Sequence, residues 1–275
     1  MMKNTYRVII LLLVLVQAQS SWAQKGPNYD DKKTKRVIEK MIQAHGGLKA
    51  WRNSPSLKFE HIMTVPQSPT FKPWVSNETH QTKSRQSYIE WGDGAKLGFD
   101  GQDVWSTDWK ILNPVGMMSQ VAFFFLNIPW ITQDDGVQLK MTEDKVVDYI
   151  EKGKAFYTVR MTFDGASPYE FYDLYIDKSS HVLKGVEYAF VNKDLMKIFK
   201  VPAEVKFMGP HLKVFKEYVD VDGLKFPARY DTHDLTQGGL VFGVHNITKY
   251  SVSQSFPSSK AKRPQNAVIY KPSKD

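Results

Sequence analysis

The sequence predicts a mainly β (α+β) fold whose strands follow one another as an antiparallel meander. Segments in which apolar and polar residues alternate, the pattern of a strand with two different faces, recur between residues 57 and 250. Asp-Gly dipeptides separate several of these segments, and they favour hairpin turns in which both central residues have positive φ. The intervals between the strands hold no helix of crossover length, so a parallel α/β sheet is not expected.

The N terminus has the three-part layout of a secretory signal peptide. Lys3 and Arg7 precede the apolar run 8–16, and residues 21–23 (Ser-Trp-Ala) place small residues at the two positions that a signal peptidase reads. A bilayer span needs about 20 apolar residues, so this run is too short to be a membrane anchor. We predict that residues 1–23 are removed by cleavage after Ala23 and that the mature chain is periplasmic or secreted.

The composition narrows the class of protein further. The chain contains no cysteine, which excludes disulfides, thiol catalysis, a cysteine-ligated metal and the lipid anchor of a bacterial lipoprotein. We predict one domain over residues 24–255 and a surface or flexible tail over 256–275, which is rich in Pro, Lys and Ser. The formal charge of +8 favours anionic partners such as lipid headgroups or acidic glycans, although scattered lysines also serve solubility. Nucleic acid is not expected as a partner.

The first element of the mature domain is an amphipathic helix, predicted over residues 31–45. Its apolar residues recur at helical spacing, Asp31 is placed to cap its N terminus, and Gly46 and Gly47 are a strong stop signal. Residues 48–51 add one more turn. At the end of the helix, the dipole favours a charged imidazolium on His45.

The strands then follow in close succession, interrupted by a proline-rich loop at residues 65–74 and by one apolar segment. The predicted strands cover residues 57–63, 82–91, 95–99, 103–107, 137–141, 145–151, 155–163, 170–176, 181–190, 212–219, 224–235 and 240–250. Turns with positive φ are predicted at Asp93-Gly94, Asp100-Gly101, Asp164-Gly165 and Asp222-Gly223.

Residues 113–131 form the exception to this β pattern, because they are strongly apolar and hold many aromatic and methionine side chains. A helix is predicted over 116–126, with Pro129 ending it. A helix that is apolar on all sides is either buried in a core or lines a cavity that holds something apolar. Aromatic and methionine side chains suit an adaptable apolar pocket, but this segment taken alone favours ordinary core packing.

No specific catalytic motif is found. The chain has no nucleophile elbow, zinc-protease motif or phosphate-binding glycine loop. Asp231 and His233 would share one face of a strand, but a metal there would need a third ligand, and a solvated strand face explains both residues equally well. His61 is interpreted as a half-buried, hydrogen-bonded residue. We therefore predict no catalytic residue, no metal, no cofactor and no enzymatic activity.

Four stretches together resemble the periplasmic lipoprotein-carrier (LolA-like) superfamily, in order and over nearly the whole mature chain. They are the opening helix with residues 44–47 (Ala-His-Gly-Gly) and Trp51 ahead of strand 57–63, the hairpin at 99–105, the strand pair at 172–188, and the hairpin at 218–227. The second is similar to the Asp-Gly-x-x-x-Trp hairpin that precedes the apolar helical segment of that family. The fourth resembles its Val-Asp-Gly-x-x-x-Pro hairpin.

The resemblance implies a single curved antiparallel sheet, an open half-barrel, with helices closing its concave side. In the carriers, that concave surface shelters lipid acyl chains between two membranes. The residues expected to line the corresponding hollow are Trp91, Phe99, Trp105, Met118, Phe124, Leu126 and Trp130. The carriers latch their lid with an arginine on an early strand, and Arg85 is the candidate for that role here.

The sequence thus predicts a periplasmic, non-catalytic binding or carrier protein for a lipid, a lipoprotein acyl chain or another apolar ligand. It would contact a membrane surface or envelope proteins only transiently. The alternative is a cell-envelope interaction module that docks a protein or glycan and whose cavity is filled by its own side chains. A hydrolase of envelope polymers has no positive support in the sequence.

Overall fold

The structure is a computed structural model that describes residues 26–68, 70, 72–111 and 113–271. The predicted signal peptide lies outside the described residues. The helices are α1 (Lys32–Ala44), α2 (Leu48–Asn53), α3 (Val115–Met118), α4 (Val121–Leu126), α5 (Ile128–Ile131), α6 (Lys193–Ile198) and α7 (Ser258–Ala261), with a 3₁₀ turn at Leu235–Gln237. None of these helices combines the length and the apolar composition that crossing a membrane requires.

The strands make up most of the ordered structure. They are β1 (Asn28–Tyr29), β2 (Ser56–Thr64), β3 (Trp74–Gln81), β4 (Ser87–Trp91), β5 (Lys96–Phe99), β6 (Val104–Thr107), β7 (Val137–Met141), β8 (Lys145–Val146), β9 (Ala155–Phe163), β10 (Phe171–Ile176), β11 (Leu183–Phe190), β12 (Met208–Val221), β13 (Leu224–Asp234), β14 (Leu240–Ser251) and β15 (Val268–Ile269).

The strands form one large open sheet in the order β1-β7-β9-β10-β11-β12-β13-β14-β2-β3-β4-β5-β6-β15, with β8 paired to β9. Neighbouring strands are antiparallel throughout, except that β1 pairs with β7 in parallel. Within the described residues the two ends of the sheet, β1 and β15, do not pair with each other, so the predicted mainly β fold and open half-barrel are confirmed. β14, the last long strand in the sequence, pairs with β2, the first long strand.

Helix α1 forms where the sequence predicts it. The Asp31 side chain accepts a hydrogen bond from the Thr34 N–H at 2.6 Å, which satisfies one of the unpaired donors of the first turn. The helix buries Val37, Ile38, Met41 and Ile42. They form one face because they lie three to four residues apart.

The end of α1 is fitted against the β12–β13 hairpin. Gly46 has φ +100°, and a Cβ at this position would lie 2.1 Å from the Gly223 carbonyl oxygen. Only glycine allows so close an approach at that backbone angle. Asp222 and Gly223 both have positive φ, as predicted for this turn. At the other predicted Asp-Gly turns only the glycine does.

His45 corrects one prediction. It is buried, its Nδ1 donates to the Lys225 carbonyl at 3.0 Å, and its Nε2 accepts from the Leu183 N–H at 3.1 Å. Burial lowers the pKa of His45 to about 4, so the ring is neutral at pH 7 and not the imidazolium that the helix dipole alone favours. Its function is to join α1 to two hairpins of the sheet.

The two faces of the sheet are covered differently. On the convex face, residues 147–150 cover a small cluster made of Phe156, Tyr175, Leu212 and Val214, and the C-terminal residues cover β4–β6. The concave face carries the main core, which includes residues from α1, α2, α4, α5 and most of the long strands. This concave side is the hollow of the half-barrel.

Several elements differ from the prediction; β1, α7 and β15 were not predicted, and the strand predicted over 145–151 is limited to Lys145–Val146. Strand β3 and helix α6 were not predicted, because the sequence of β3 is mostly polar and α6 has only six residues. The apolar segment forms three short helices in place of one, and Pro129 lies inside α5, near its start, so it does not end a helix there. Proline is tolerated in the first turn because its missing N–H has no partner there in any case.

Candidate functional site

The hollow of the half-barrel is occupied by residues 115–131, which we call the plug segment. Its helices α4 and α5 bury every one of their residues except Val121. The Phe124 ring lies 5.0 Å from that of Tyr172 and the Phe125 ring 4.8 Å from that of Tyr188. The plug segment is therefore packed directly against the concave face of the sheet.

Arg85 fastens the end of this segment. It lies in the β3–β4 turn with φ +63°, and its Nη2 donates to Asp134 Oδ2 at 2.6 Å, just beyond α5. The guanidinium also lies 5.1 Å from the centre of the Phe123 ring. Burial raises the pKa of the Asp134 carboxyl, and the positive charge of Arg85 opposes that rise. This ion pair ties the end of the plug segment to the β3–β4 turn, and Arg85 lies in a turn and not on the early strand where it was expected.

The residues predicted to line the hollow do not all face it. Trp91 of β4 packs with Met118, which belongs to the plug segment itself, in a small cluster. Phe99 is buried on the same face of the sheet as Ile89 and Leu97, because Phe99 pairs with Ser87 across β4 and β5.

Phe124 and Leu126 lie in the plug segment itself, within the main core. Trp130 stacks on Trp51 of α2, with ring centres 4.7 Å apart. All three therefore lie in the main core on the concave side of the sheet.

Trp105 does not line the hollow, contrary to the prediction. It lies on the opposite, convex face, where it crowds Gly98, and its Nε1 donates to the Ala261 carbonyl at 2.8 Å. Strand alternation explains the difference, because Trp105 is one residue out of phase with Val104 and Ser106, which face the hollow. Its partner is the C-terminal segment, and we remove it from the proposed lining.

Beneath the plug segment, the concave face carries a continuous chain of polar side chains. Lys213 Nζ donates to Thr232 Oγ1 at 3.0 Å, and Thr232 Oγ1 lies 3.0 Å from His245 Nε2. His245 Nδ1 lies 2.8 Å from His61 Nε2, and His61 Nδ1 is 3.9 Å from Glu78 Oε1. The chain thus crosses five neighbouring strands, β12, β13, β14, β2 and β3.

The hydrogen-bond roles along this chain follow from its two ends. An ammonium can only donate, so Thr232 accepts from Lys213 and donates its own proton to His245 Nε2. His245 Nδ1 then carries the proton that His61 Nε2 accepts, and the remaining proton of His61 faces Glu78. Burial, with the nearby charge of Lys213, lowers the pKa of His245 well below its usual value. A neutral His245 is consistent with this assignment.

Glu78 is the anionic end of the chain. Burial alone would raise the pKa of its carboxyl, but its interactions with His61 and His80 outweigh burial and lower the pKa to about 2. His80 Nε2 lies 2.9 Å from Oε2, and Ser76 Oγ donates to Oε1 at 2.9 Å. Glu78 therefore stays ionised at pH 7, and its two oxygens already have partners.

Lys213 is the cationic end, and it is far less well satisfied. It is only 5% exposed, and burial lowers its pKa to about 7. Its Nζ lies 4.5, 4.8 and 5.8 Å from the ring centres of Phe125, Tyr230 and Tyr188. Among the described residues no carboxylate pairs with it. A buried ammonium surrounded by aromatic rings is a recognised way to hold a cation, but it leaves two of its N–H donors without an oxygen.

Of the five residues in this polar chain, only His61 was singled out from the sequence, as a half-buried, hydrogen-bonded residue, and its contact with His245 confirms that interpretation. Lys213 carried a signal that could have been used, since it lies between Leu212 and Val214 and in phase with Phe215, in a strand that is apolar on both faces. Glu78 belongs to the strand that was not predicted.

Nothing in the described part of the chain suggests a metal centre. No group of three or more His, Cys, Asp or Glu residues there has the arrangement that a metal ion needs. His233 Nδ1 lies 2.9 Å from the Gly239 carbonyl, so this contact with the turn after β13 orients its ring.

Comparison with solved structures places this geometry in a known fold. A LolA superfamily protein from Nitrosomonas europaea superposes with a TM-score of 0.52 at 10% identity, covering 84% of this chain and 97% of that chain. The chain has a LolA-like fold. A DUF1329 family protein from Desulfovibrio piger is also similar, with a TM-score of 0.49 and 13% identity over 83% of this chain and 97% of that one.

At these identities the LolA-like fold is shown, but not the ligand. No family model matches the sequence, and no curated protein matches it.

Proposed function

We propose that this chain is a periplasmic, non-catalytic binding or carrier protein that holds a lipid, a lipoprotein acyl chain or another apolar ligand in the hollow of its half-barrel. The observation that carries the proposal is the plug segment, an almost wholly apolar stretch buried against the concave face of an open sheet. An acyl chain has the same apolar chemistry as these side chains and can take their place when the segment moves out. The signal-peptide pattern supports the compartment.

The plug segment is weakly held by its own secondary structure. Its helices have four, six and four residues, and none has a side-chain hydrogen bond at its N-cap. Isolated helices shorter than about 12 residues are marginal in water. Packing against the sheet is therefore what keeps the segment in place. A ligand that packs against the sheet instead allows the segment to leave.

Several buried polar atoms also weaken the closed arrangement. Gln120 Oε1 and Asn127 Oδ1 on the plug segment, and His80 Nδ1 and Arg85 Nη1 beneath it, have no hydrogen-bond partner within the described protein. Each such atom costs about 1–3 kcal/mol. A bound chain gains about 0.8 kcal/mol per buried CH₂, so a dozen methylenes gain roughly 10 kcal/mol towards displacing the segment.

The first test is native mass spectrometry of the mature protein purified from its own envelope, followed by organic extraction. A lipid-sized adduct that solvent releases would support the carrier proposal and give the class of ligand. Hydrogen exchange with and without the ligand should show faster exchange in residues 115–131 when the hollow is occupied.

A pair of phenylalanine variants distinguishes the hollow from the rest of the core. Phe124→Ala loosens the closed plug segment, so opening it requires less free energy. The affinity for a neutral apolar dye such as Nile red should therefore increase. Phe156→Ala removes an equally buried ring from the convex cluster and should lower stability without changing dye affinity. Failure of the wild-type protein and of both variants to take up dye would refute the carrier proposal.

A second candidate function is an envelope interaction module, favoured by the fact that the hollow is occupied by the protein's own side chains. Phe199 and Val205, which are 55% and 40% exposed in the connection between β11 and β12, offer an apolar contact for a protein partner. A clean apo mass, together with no uptake of fatty acids or lipopeptides, would favour this function over ligand carriage.

A further inference from the structure

Lys213 is a buried cation that the described protein leaves without an anion. An ammonium has three N–H donors, and Thr232 accepts only one. The single carboxylate of the polar chain, Glu78, lies at the far end and is already bonded to Ser76 and His80. Buried charges are normally paired, so a cation left unpaired in the hollow of a binding fold points to an anion supplied by the ligand.

We propose that Lys213, together with Thr232, binds the carboxylate headgroup of a long-chain fatty-acid-type amphiphile whose acyl chain lies in the hollow. The inference rests on the proposed function, since it names the ligand class for that hollow. Lys213 projects from β12 into the concave face between Tyr188 of β11 and Tyr230 of β13. The ammonium is therefore buried at a point of the concave face that aromatic rings surround.

The plug segment covers this point with a single ring. Phe125 of α4 lies 4.5 Å from Nζ, and it leaves when the segment makes room for a ligand. The two unused N–H donors then face the hollow, and a carboxylate in place of the ring accepts from both. A charge-assisted hydrogen bond of this kind is roughly twice as strong as a neutral one.

The titratable groups that face Lys213 are all neutral near pH 7, so Lys213 itself is the group of this site that titrates there. Burial raises the pKa of Tyr188 and Tyr230 above its usual value, so both stay neutral near pH 7. Burial lowers the pKa of His245 and of His211, so neither competes as a cation. Phe125, the residue that α4 places here, has no charge.

The site therefore predicts the sign of a pH effect on binding. Burial lowers the pKa of Lys213 to about 7 in the closed protein, and a bound carboxylate raises it by favouring the ammonium. Above pH 7 the empty protein has lost a proton that the complex holds, so binding takes up a proton. Affinity for the acid is expected to fall as pH rises above 7, whereas affinity for a neutral ligand of the same chain length should not change.

The experiment compares oleic acid with oleyl alcohol, which has the same chain and a neutral headgroup, by displacement of Nile red from the full mature protein at pH 6.5 and pH 8.5. We expect the wild type to bind the acid about tenfold or more tightly than the alcohol at pH 6.5, with a smaller ratio at pH 8.5. Lys213→Met should bind both ligands equally at both pH values. Lys216→Met, an exposed lysine on the same strand, should retain the wild-type ratio.

The outcomes separate the two proposals. Equal binding of acid and alcohol by the wild type, or an unchanged ratio in Lys213→Met, would overturn the headgroup site while leaving apolar binding intact. Binding of neither ligand would overturn the carrier function and the headgroup site with it.

Discussion

Replacing Lys213 with methionine is expected to make the protein more stable, although the change removes a hydrogen bond and a charge. The lysine is almost fully buried, and its pKa is lowered by burial to about 7 from the usual 10.5. Methionine is similar in length, flexible and apolar, so it fills the same space beneath the plug segment without a charge to desolvate. The gain would mean that stability is given up locally in order to keep a charge in the hollow.

The size of the gain follows from the lowered pKa. Each unit corresponds to about 1.36 kcal/mol, so the fall from 10.5 to about 7 represents a penalty of about 4–5 kcal/mol when the lysine is charged in both states. The contacts with the aromatic rings offset about 1–2 kcal/mol of this, and the hydrogen bond to Thr232 offsets about 1 kcal/mol. A net gain of about 2 kcal/mol is expected for Lys213→Met at pH 6.

The dependence of this gain on pH identifies its cause. Below pH 7 the lysine is protonated in both the folded and the unfolded protein, so the wild type carries the whole penalty. Between about pH 7 and 10.5 the unfolded chain binds a proton that the folded protein does not, so wild-type stability rises with pH. The advantage of Lys213→Met should therefore be about 2–3 kcal/mol smaller at pH 9 than at pH 6.

Urea unfolding of the mature protein, followed by tryptophan fluorescence at pH 6 and pH 9, measures both quantities, with Lys216→Met as the control for losing a lysine from the same strand. The reasoning is refuted if Lys213→Met is less stable than the wild type at pH 6. It is also refuted if the gain does not change between the two pH values, because either result would mean that the ammonium is well compensated in the folded protein.

Three further predictions concern the latch, the buried carboxylate and a glycine contact. Arg85→Met should lower the free energy of unfolding by about 2 kcal/mol and speed hydrogen exchange in the plug segment, because it leaves the partly buried carboxylate of Asp134 without its guanidinium partner. Arg229→Met breaks an exposed pair and should change stability by less than about 0.5 kcal/mol. In the wild type, ionised Glu78 contributes about 3 kcal/mol to the free energy of unfolding above pH 4.5, and this contribution is lost as the pH falls towards 2. Glu78→Gln should lack this contribution, and parallel acid unfolding curves of the two proteins would contradict the prediction. Gly46→Ala should destabilise far more than Gly94→Ala, by roughly 2 kcal/mol or more, since both have positive φ but only the former meets another backbone; equal urea midpoints would disprove the steric argument.

Much of the fold could be read from local patterns. Helix α1 was predicted almost to the residue, because its cap, its apolar spacing and its glycine stop all lie within a few residues of one another. The strands of the meander could be predicted because a half-buried strand alternates visibly. Strand β3 was missed because its inward residues, among them Ser76, Glu78 and His80, are polar, and a polar inner face has no apolar alternation to detect.

The candidate site was only partly predictable. The apolar segment at 115–131 was recognised as unusual from its composition, and Arg85 was chosen from a resemblance. Trp105 was assigned to the hollow because composition does not reveal phase, and it lies on the face that the C-terminal segment covers.

What the sequence by itself determined is the periodic part of this protein: its helix, its antiparallel strands and its apolar plug, each of which depends on neighbours within about ten residues. What only the tertiary structure decided is the polar chain from Lys213 to Glu78. Its members come from five strands spread between residues 61 and 245, and only Lys213 stands out in the sequence of its own strand. Whether such residues meet depends on strand order and register across the whole sheet, which no local pattern records.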